Sequence, residues 1–220
     1  MADAPAFTQL TDVASSAFGG RVLFATDEWF AIAQNLLSPA EPLWDEHKFT
    51  EYGKWMDGWE TRRKRIAGHD WCIVRLAVPC EIRGIEVDTA HFTGNFTPRA
   101  SVQAAHLSDD PGFQHAALGQ MGTCATADEV AYAETLGTGA WEEIVPRSAL
   151  GAGVSATRRS YFKVEGQAGG SVYTHLRLNM FPDGGIARLR VYGTPVASYS
   201  RSSVVDLLSA LHMVDLIFIS

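Results

Sequence analysis

The stretch VYTHLRLNMFPDGGIARLRVY, Val172 to Tyr192, decides the reading of the fold. Leu176, Leu178 and Met180 alternate with His175, Arg177 and Asn179. Past Phe181-Pro182-Asp183-Gly184-Gly185 the alternation resumes, with Ala187, Leu189 and Val191 set against Arg188 and Arg190. Successive side chains of a strand point to opposite faces, so this period of two predicts two strands, each with one apolar face and one that concentrates cations. The Pro, Asp and Gly residues between them predict a hairpin, which would set His175 and Arg177 on one face with Arg188 and Arg190.

Outward from this stretch, other short apolar or alternating runs are separated by Gly, Pro and Asp: Val22 to Ala25, Trp71 to Val78, Ile82 to Thr89, Ala100 to Leu107 and Tyr161 to Glu165. The pattern predicts an all-β protein, an antiparallel β-sandwich or jelly roll. Helix signals are few. Thr126-Ala127-Asp128-Glu129 reads as a capping box opening a helix that ends near Gly137. A second short helix is predicted from about Glu28 to Leu37, closed by Ser38-Pro39, because Pro disfavours helical geometry in the residue before it. After Gly193 the pattern changes: Val204, Leu207, Leu208, Leu211, Val214 and Phe218 recur at helical spacing, an amphipathic helix. The chain therefore divides into a lead-in at 1–20, a sandwich at 21–193 and a divergent tail at 194–220.

At 220 residues and 46% hydrophobic content the chain can bury a core of its own and fits one domain better than two. Its 18 Lys and Arg against 25 Asp and Glu leave a net charge of -7, which disfavours nucleic acid and anionic membrane and favours a small-molecule or protein partner. Cys72, Cys80 and Cys124 are odd in number and show no C-x-x-C spacing, so neither a disulfide framework nor a zinc knuckle is expected, and the default compartment is intracellular and cytoplasmic. The first ten residues do not read as a secretory signal, and Phe218-Ile219-Ser220 is no peroxisomal tripeptide, although the peroxisome stays open as a location. No apolar run approaches the roughly 20 residues of a membrane-spanning helix.

Polar and aromatic residues are densest from Lys54 to Arg65, followed by Gly68-His69-Asp70-Trp71-Cys72 leading into a strand. Asp57-Gly58 reads either as a turn or as part of a site, and Glu60 with Arg63 either as a surface ion pair or as working groups. His69 and His91 are either hydrogen-bonded structural histidines or proton carriers. His47, His69, Asp70 and His91 are the residue types that hold zinc or manganese, but their spacing matches no metal motif, and Cys72 and Cys80 read as small hydrophobes in or beside strands. No metal site is assigned and no cofactor is required on these grounds; a divalent metal stays open.

Four segments, GKWMDGWETRRKR, GHDWCIVRL, DTAHFTGNFTPRASVQAA and NMFPDGGIARLRVYG, resemble in order and spacing the first of the two repeats of the allantoicase family. The resemblance runs from about Phe7 to Gly193, after which the chain departs into Ser200-Arg201-Ser202-Ser203-Val204 and reads as a single repeat with a truncated, alternative end. It implies a jelly-roll repeat of the galactose-binding-domain type and the hydrolysis of allantoate to ureidoglycolate and urea, a step of purine catabolism. Allantoate carries one carboxylate and two ureido groups on one carbon. Arg62, Arg63, Arg177, Arg188 and Arg190, with His175, are the candidates to bind it, because a guanidinium fork matches a carboxylate. Asp57, Glu60, His69 and His91 are the catalytic candidates, since the leaving urea needs a proton and the attacking water a base. Two functions follow: an allantoicase-type hydrolase, possible also as a homo-oligomer, or an inactive remnant of one, a jelly-roll domain that binds a small molecule or a protein.

Overall fold

The computed structural model describes residues 4–165 and 170–196. Its longer strands are β1 (Arg21–Ala25), β2 (Asp70–Asp88), β3 (Arg99–Ala105), β4 (Glu142–Ala149), β5 (Arg159–Lys163), β6 (Val172–Phe181) and β7 (Arg188–Pro195). All the ladders between them are antiparallel.

β2 is the spine. The sequence predicts two strands there, Trp71 to Val78 and Ile82 to Thr89, whereas the structure runs them as one strand of 19 residues. Its first half lies between β1 and β6, and its second half between β5 and β7. One strand thus belongs to both layers of the sandwich. Pro79 does not interrupt it because the ladder to β6 shifts register there, between Tyr173 and His175, and a residue with no N–H is tolerated at such a bulge. The first layer has the order β1, β2, β6, β3, β4; in the second, β7 sits between β2 and the short strand Thr11–Asp12, with β5 on the other side of β2.

Between the layers Val74, Leu176, Leu178, Met180 and Val102 meet Ile85, Val87, Leu189 and Val191, all essentially inaccessible. This is the jelly-roll sandwich that alternation predicts. A smaller cluster of Phe24, Trp71, Ile73 and Ala133 packs on the outside of the first layer, under helix α1 (Ala127–Thr135). α1 begins as read: Thr126 accepts from the Glu129 N–H while the Glu129 carboxylate accepts from the Thr126 N–H, a complete capping box.

Three expectations change. The hairpin of Val172 to Tyr192 does not form: β6 pairs with β2 and β3, β7 pairs with β2 and Thr11–Asp12, and the segment between them carries the chain from one layer to the other. The helix from Glu28 shrinks to a 3-10 turn at Ala33–Leu37, because the Phe30 and Ala31 N–H groups are spent on the Glu60 carbonyl. β4 has no counterpart in the sequence reading; it is an edge strand in which only Val145 is buried, and it carries Pro146, so it lacks the apolar alternation of its neighbours. The amphipathic helix expected around Val204 to Phe218 lies outside the described residues. Among the described residues no helix is long and apolar enough to cross a membrane.

Candidate functional site

The polar cluster of Lys54 to Arg65 enters the sandwich as a short strand, Trp59–Glu60, paired with Gly185–Ile186. Trp59 fills the core, and the next residue, Glu60, turns to the other face. Gly58 precedes it because the backbone of Ile186 and Ala187 comes too close for any side chain: a Cβ at Gly58 would lie 2.5 Å from the Ile186 carbonyl oxygen. The glycine of Asp57-Gly58 thus serves a close approach.

Glu60 is 9% exposed, and its carboxylate accepts one hydrogen bond, 2.5 Å from Asn95 Nδ2. No cation pairs with it among the described residues. Burial pushes its pKa up to about 7, and the Asn95 amide only partly offsets this. Glu60 can therefore hold or release a proton near neutrality. Two residues on, Arg62 donates through Nε and Nη2 to a single oxygen of Asp27, both at 2.7 Å, and lies 4.5 Å over the Trp29 ring. Its side chain stays 42% exposed. Arg63 is exposed and makes no side-chain hydrogen bond or ion pair among the described residues.

Asp57 and Arg188 form a separate unit. Arg188, 2% exposed, donates to the Asp57 carboxylate (2.8 Å), the Asp57 carbonyl (3.0 Å), the Ala40 carbonyl (2.9 Å) and its neighbour's carbonyl at Ala187 (2.7 Å). The other Asp57 contact is the Leu43 N–H, 2.8 Å from the same carboxylate oxygen. Arg190 donates to Asp12 and to the carbonyls of Ser38, Pro39 and Ala40. His91, at a φ of 69°, reaches the Pro42 carbonyl from Nε2 (3.1 Å) and stacks on Trp44. Four of the predicted site residues, Asp57, His91, Arg188 and Arg190, thus converge on one loop, 38–44, and anchor it.

His69, His175 and Arg177 lie on the outer face of the first layer, across the core from Arg188 and Arg190. The hairpin reading had put both cation pairs on one face. They separate because each strand turns its leucines to the common core, which sends the alternate residues in opposite directions. Arg177, 4% exposed, is spent on Asn179 (3.0 Å), Thr138 (2.7 Å) and Glu134 (3.0 Å) and lies 3.9 Å over Trp71. His69 contacts the same Asn179 oxygen at 3.0 Å; its burial holds the imidazole below its ordinary pKa, so it is neutral at pH 7. His175 is paired with Asp110 at 3.0 Å. Asp70 takes Lys64 at 2.5 Å and Thr26 at 2.8 Å, and His47 is exposed beside Glu46. Among the described residues no three of His, Cys, Asp and Glu are grouped so as to hold a metal ion.

Sequence reasoning passed over Asn95, Asn179, Ser101 and Gln103. Asn179 bonds both Ser101 and Gln103, and Asn95 is the single partner of the Glu60 side chain among the described residues. Neutral amides carry no charge signal, and each of these contacts joins residues at least 35 positions apart.

Residues 11–196 match the family model described as the allantoicase repeat. The chain is similar to a probable allantoicase 1 of Burkholderia mallei, 42% identical over 93% of this chain and 53% of the relative, and to a probable allantoicase of Ralstonia nicotianae, 40% identical over the same shares. Among solved structures it superposes on the allantoicase of Saccharomyces cerevisiae with a TM-score of 0.62 and 34% identity, over 86% of this chain and 49% of that one. The chain thus spans about half the length of the curated relatives it matches. With a family model matched over most of its length and relatives above 30% identity, the chain belongs to the allantoicase family.

Proposed function

We propose that this chain is one repeat of an enzyme that hydrolyses allantoate to ureidoglycolate and urea, with Glu60 moving the proton and Arg62 receiving the substrate carboxylate. Family membership supports the reaction class. The observation that carries the site is the Glu60 carboxyl, buried, unpaired with any described cation and poised at about 7. A general acid works best when its pKa lies near the operating pH. In this reading Glu60 gives its proton to the ureido nitrogen as the bond from the central carbon breaks, then recovers one from the water that adds to that carbon. Atoms and charge balance, and urea leaves neutral. Arg62 fits the carboxylate because Asp27 occupies one side of its fork and the side chain is still substantially exposed. Arg63, exposed and without a side-chain partner among the described residues, adds positive charge at the same end. Asp57, Arg188, Arg190 and His91 shape the site by holding the loop at 38–44.

The competing reading is a binding domain without catalysis. It is favoured by the internal saturation of Arg177, Arg188 and Arg190, three of the cations that a substrate would need. Urea release from allantoate by the purified 220-residue chain separates the two. A hydrolase loses its turnover in Glu60→Gln while retaining allantoate binding, and its rate falls as pH rises through about 7, where the acid loses its proton. Allantoate binding with no urea release by the folded parent chain would show that this chain binds without catalysing by itself.

A further inference from the structure

At the other end of β6 from Phe181, three basic residue types stand in a row across adjacent strands. Arg21 of β1 is the direct partner of Arg75 of β2, and Arg75 is the direct partner of His175 of β6. Like charges set directly opposite on neighbouring antiparallel strands destabilise a sheet. A single carboxylate answers this row. Asp110 takes Arg21 Nη2 at 2.6 Å and Arg75 Nη1 at 3.1 Å on one oxygen, and His175 Nε2 at 3.0 Å on the other. Burial pushes the Asp110 carboxyl upward, but the bonds from Arg21 and His175 and the charge of Arg75 outweigh it and hold the group below its ordinary range, so it is an anion. One negative charge against two guanidiniums leaves an excess of one positive charge, on a chain whose net charge is -7.

Arg75 and His175 of this row, with Asp110, His106, Ser108 and Thr174 and an apolar side from β2, line a cavity of about 340 Å³, a volume in the range of small-ligand sites; Arg21 is not part of the lining and reaches it only through Asp110. Each guanidinium spends one Nη on Asp110, and the Arg21 and Arg75 side chains are 52% and 44% exposed. Their remaining donors have no partner among the described residues. His175, 2% exposed, forms a rigid wall, with Thr174 Oγ1 at 2.8 Å from its other ring nitrogen. His106 is set by the Val172 carbonyl, which accepts from Nδ1 at 3.2 Å.

We propose that this cavity binds a small oxyanion, with Arg75 as its charged partner and Arg21 acting from outside the lining by neutralising Asp110. The site is independent of Glu60, which lies beyond the opposite end of β6. A purely internal role, with Asp110 pinning the loop at 106–111 to the sheet, would leave the cavity without affinity for anions.

Calorimetric titration of the full chain with inorganic phosphate, and separately with acetate, tests this. Saturable binding of either anion is expected, weakened about tenfold or more in Arg75→Gln, the loss of one charge-assisted hydrogen bond. Arg21→Gln should act in the same direction and stands in if Arg75→Gln does not fold. Arg83→Gln removes an equal charge elsewhere and should leave binding unchanged. The relative strength of the two anions shows whether the site prefers a tetrahedral or a planar group. No saturable binding of either anion, or equal weakening by Arg83→Gln, overturns the proposal.

Discussion

Glu60 shows how one residue can be costly to the fold and useful to the site. Its carboxyl has a pKa of about 7 in the folded protein against an ordinary 4.5, so the folded state holds the proton more tightly than the unfolded chain. The stability this contributes is complete below about pH 4.5 and is lost as pH rises through 7, a difference on the order of 3 kcal/mol. Urea unfolding of Glu60→Gln at pH 5 and pH 8 should therefore show the variant gaining on the parent at the higher pH; identical differences at the two values would rule out the raised pKa. Arg188 poses the reverse case. Replacing it with Met leaves the part-buried Asp57 carboxylate without its cation and the Ala40 carbonyl without its donor, at an expected cost of about 3 kcal/mol by chemical denaturation. A loss below about 1 kcal/mol would show that the pair is not the anchor of the loop at 38–44.

Among the elements, α1 is short and mostly exposed, and its ends matter more than its propensity. The capping box at Thr126 satisfies donors that the helix cannot, and Glu134 in the last turn holds Arg177 over Trp71. Thr126→Ala should lower stability by about 1 kcal/mol in thermal or urea melts. Both capping partners lie in one run of four residues, which is why this start was legible in the sequence. The 3-10 turn at Ala33–Leu37 was not. Its length depends on where Glu60, far along the chain, captures the Phe30 and Ala31 N–H groups. β4 was missed for a related reason: an edge strand buries one residue in place of an alternating row, so period two leaves almost no trace.

For the whole molecule, β2 couples the two layers, since neither can lose its pairing without disturbing the other. Unfolding followed by tryptophan fluorescence and by far-UV circular dichroism should give coincident transitions. Leu178→Ala, in the shared core, should shift both together by about 2 to 5 kcal/mol. Separate midpoints would mean that the layers unfold independently.

Alternation in the sequence determined the class of the fold, its apolar faces and most of its strands, because side-chain direction along a strand depends on local backbone geometry alone. Four segments in family order determined the kinship. Which strands pair was decided only in the tertiary structure: Phe181 to Gly185 reads as a hairpin turn, yet β6 and β7 both find better partners in β2. The candidate site divided for the same reason. Asp57, Glu60, Arg62 and Arg63 stayed at one end of the sandwich because they are close in sequence, while His175 and Arg177 parted from Arg188 and Arg190 because two strands facing one core point their polar residues to opposite sides. The raised pKa of Glu60 rests on burial, only partly offset by Asn95, 35 residues away, and burial is a property of the assembled core.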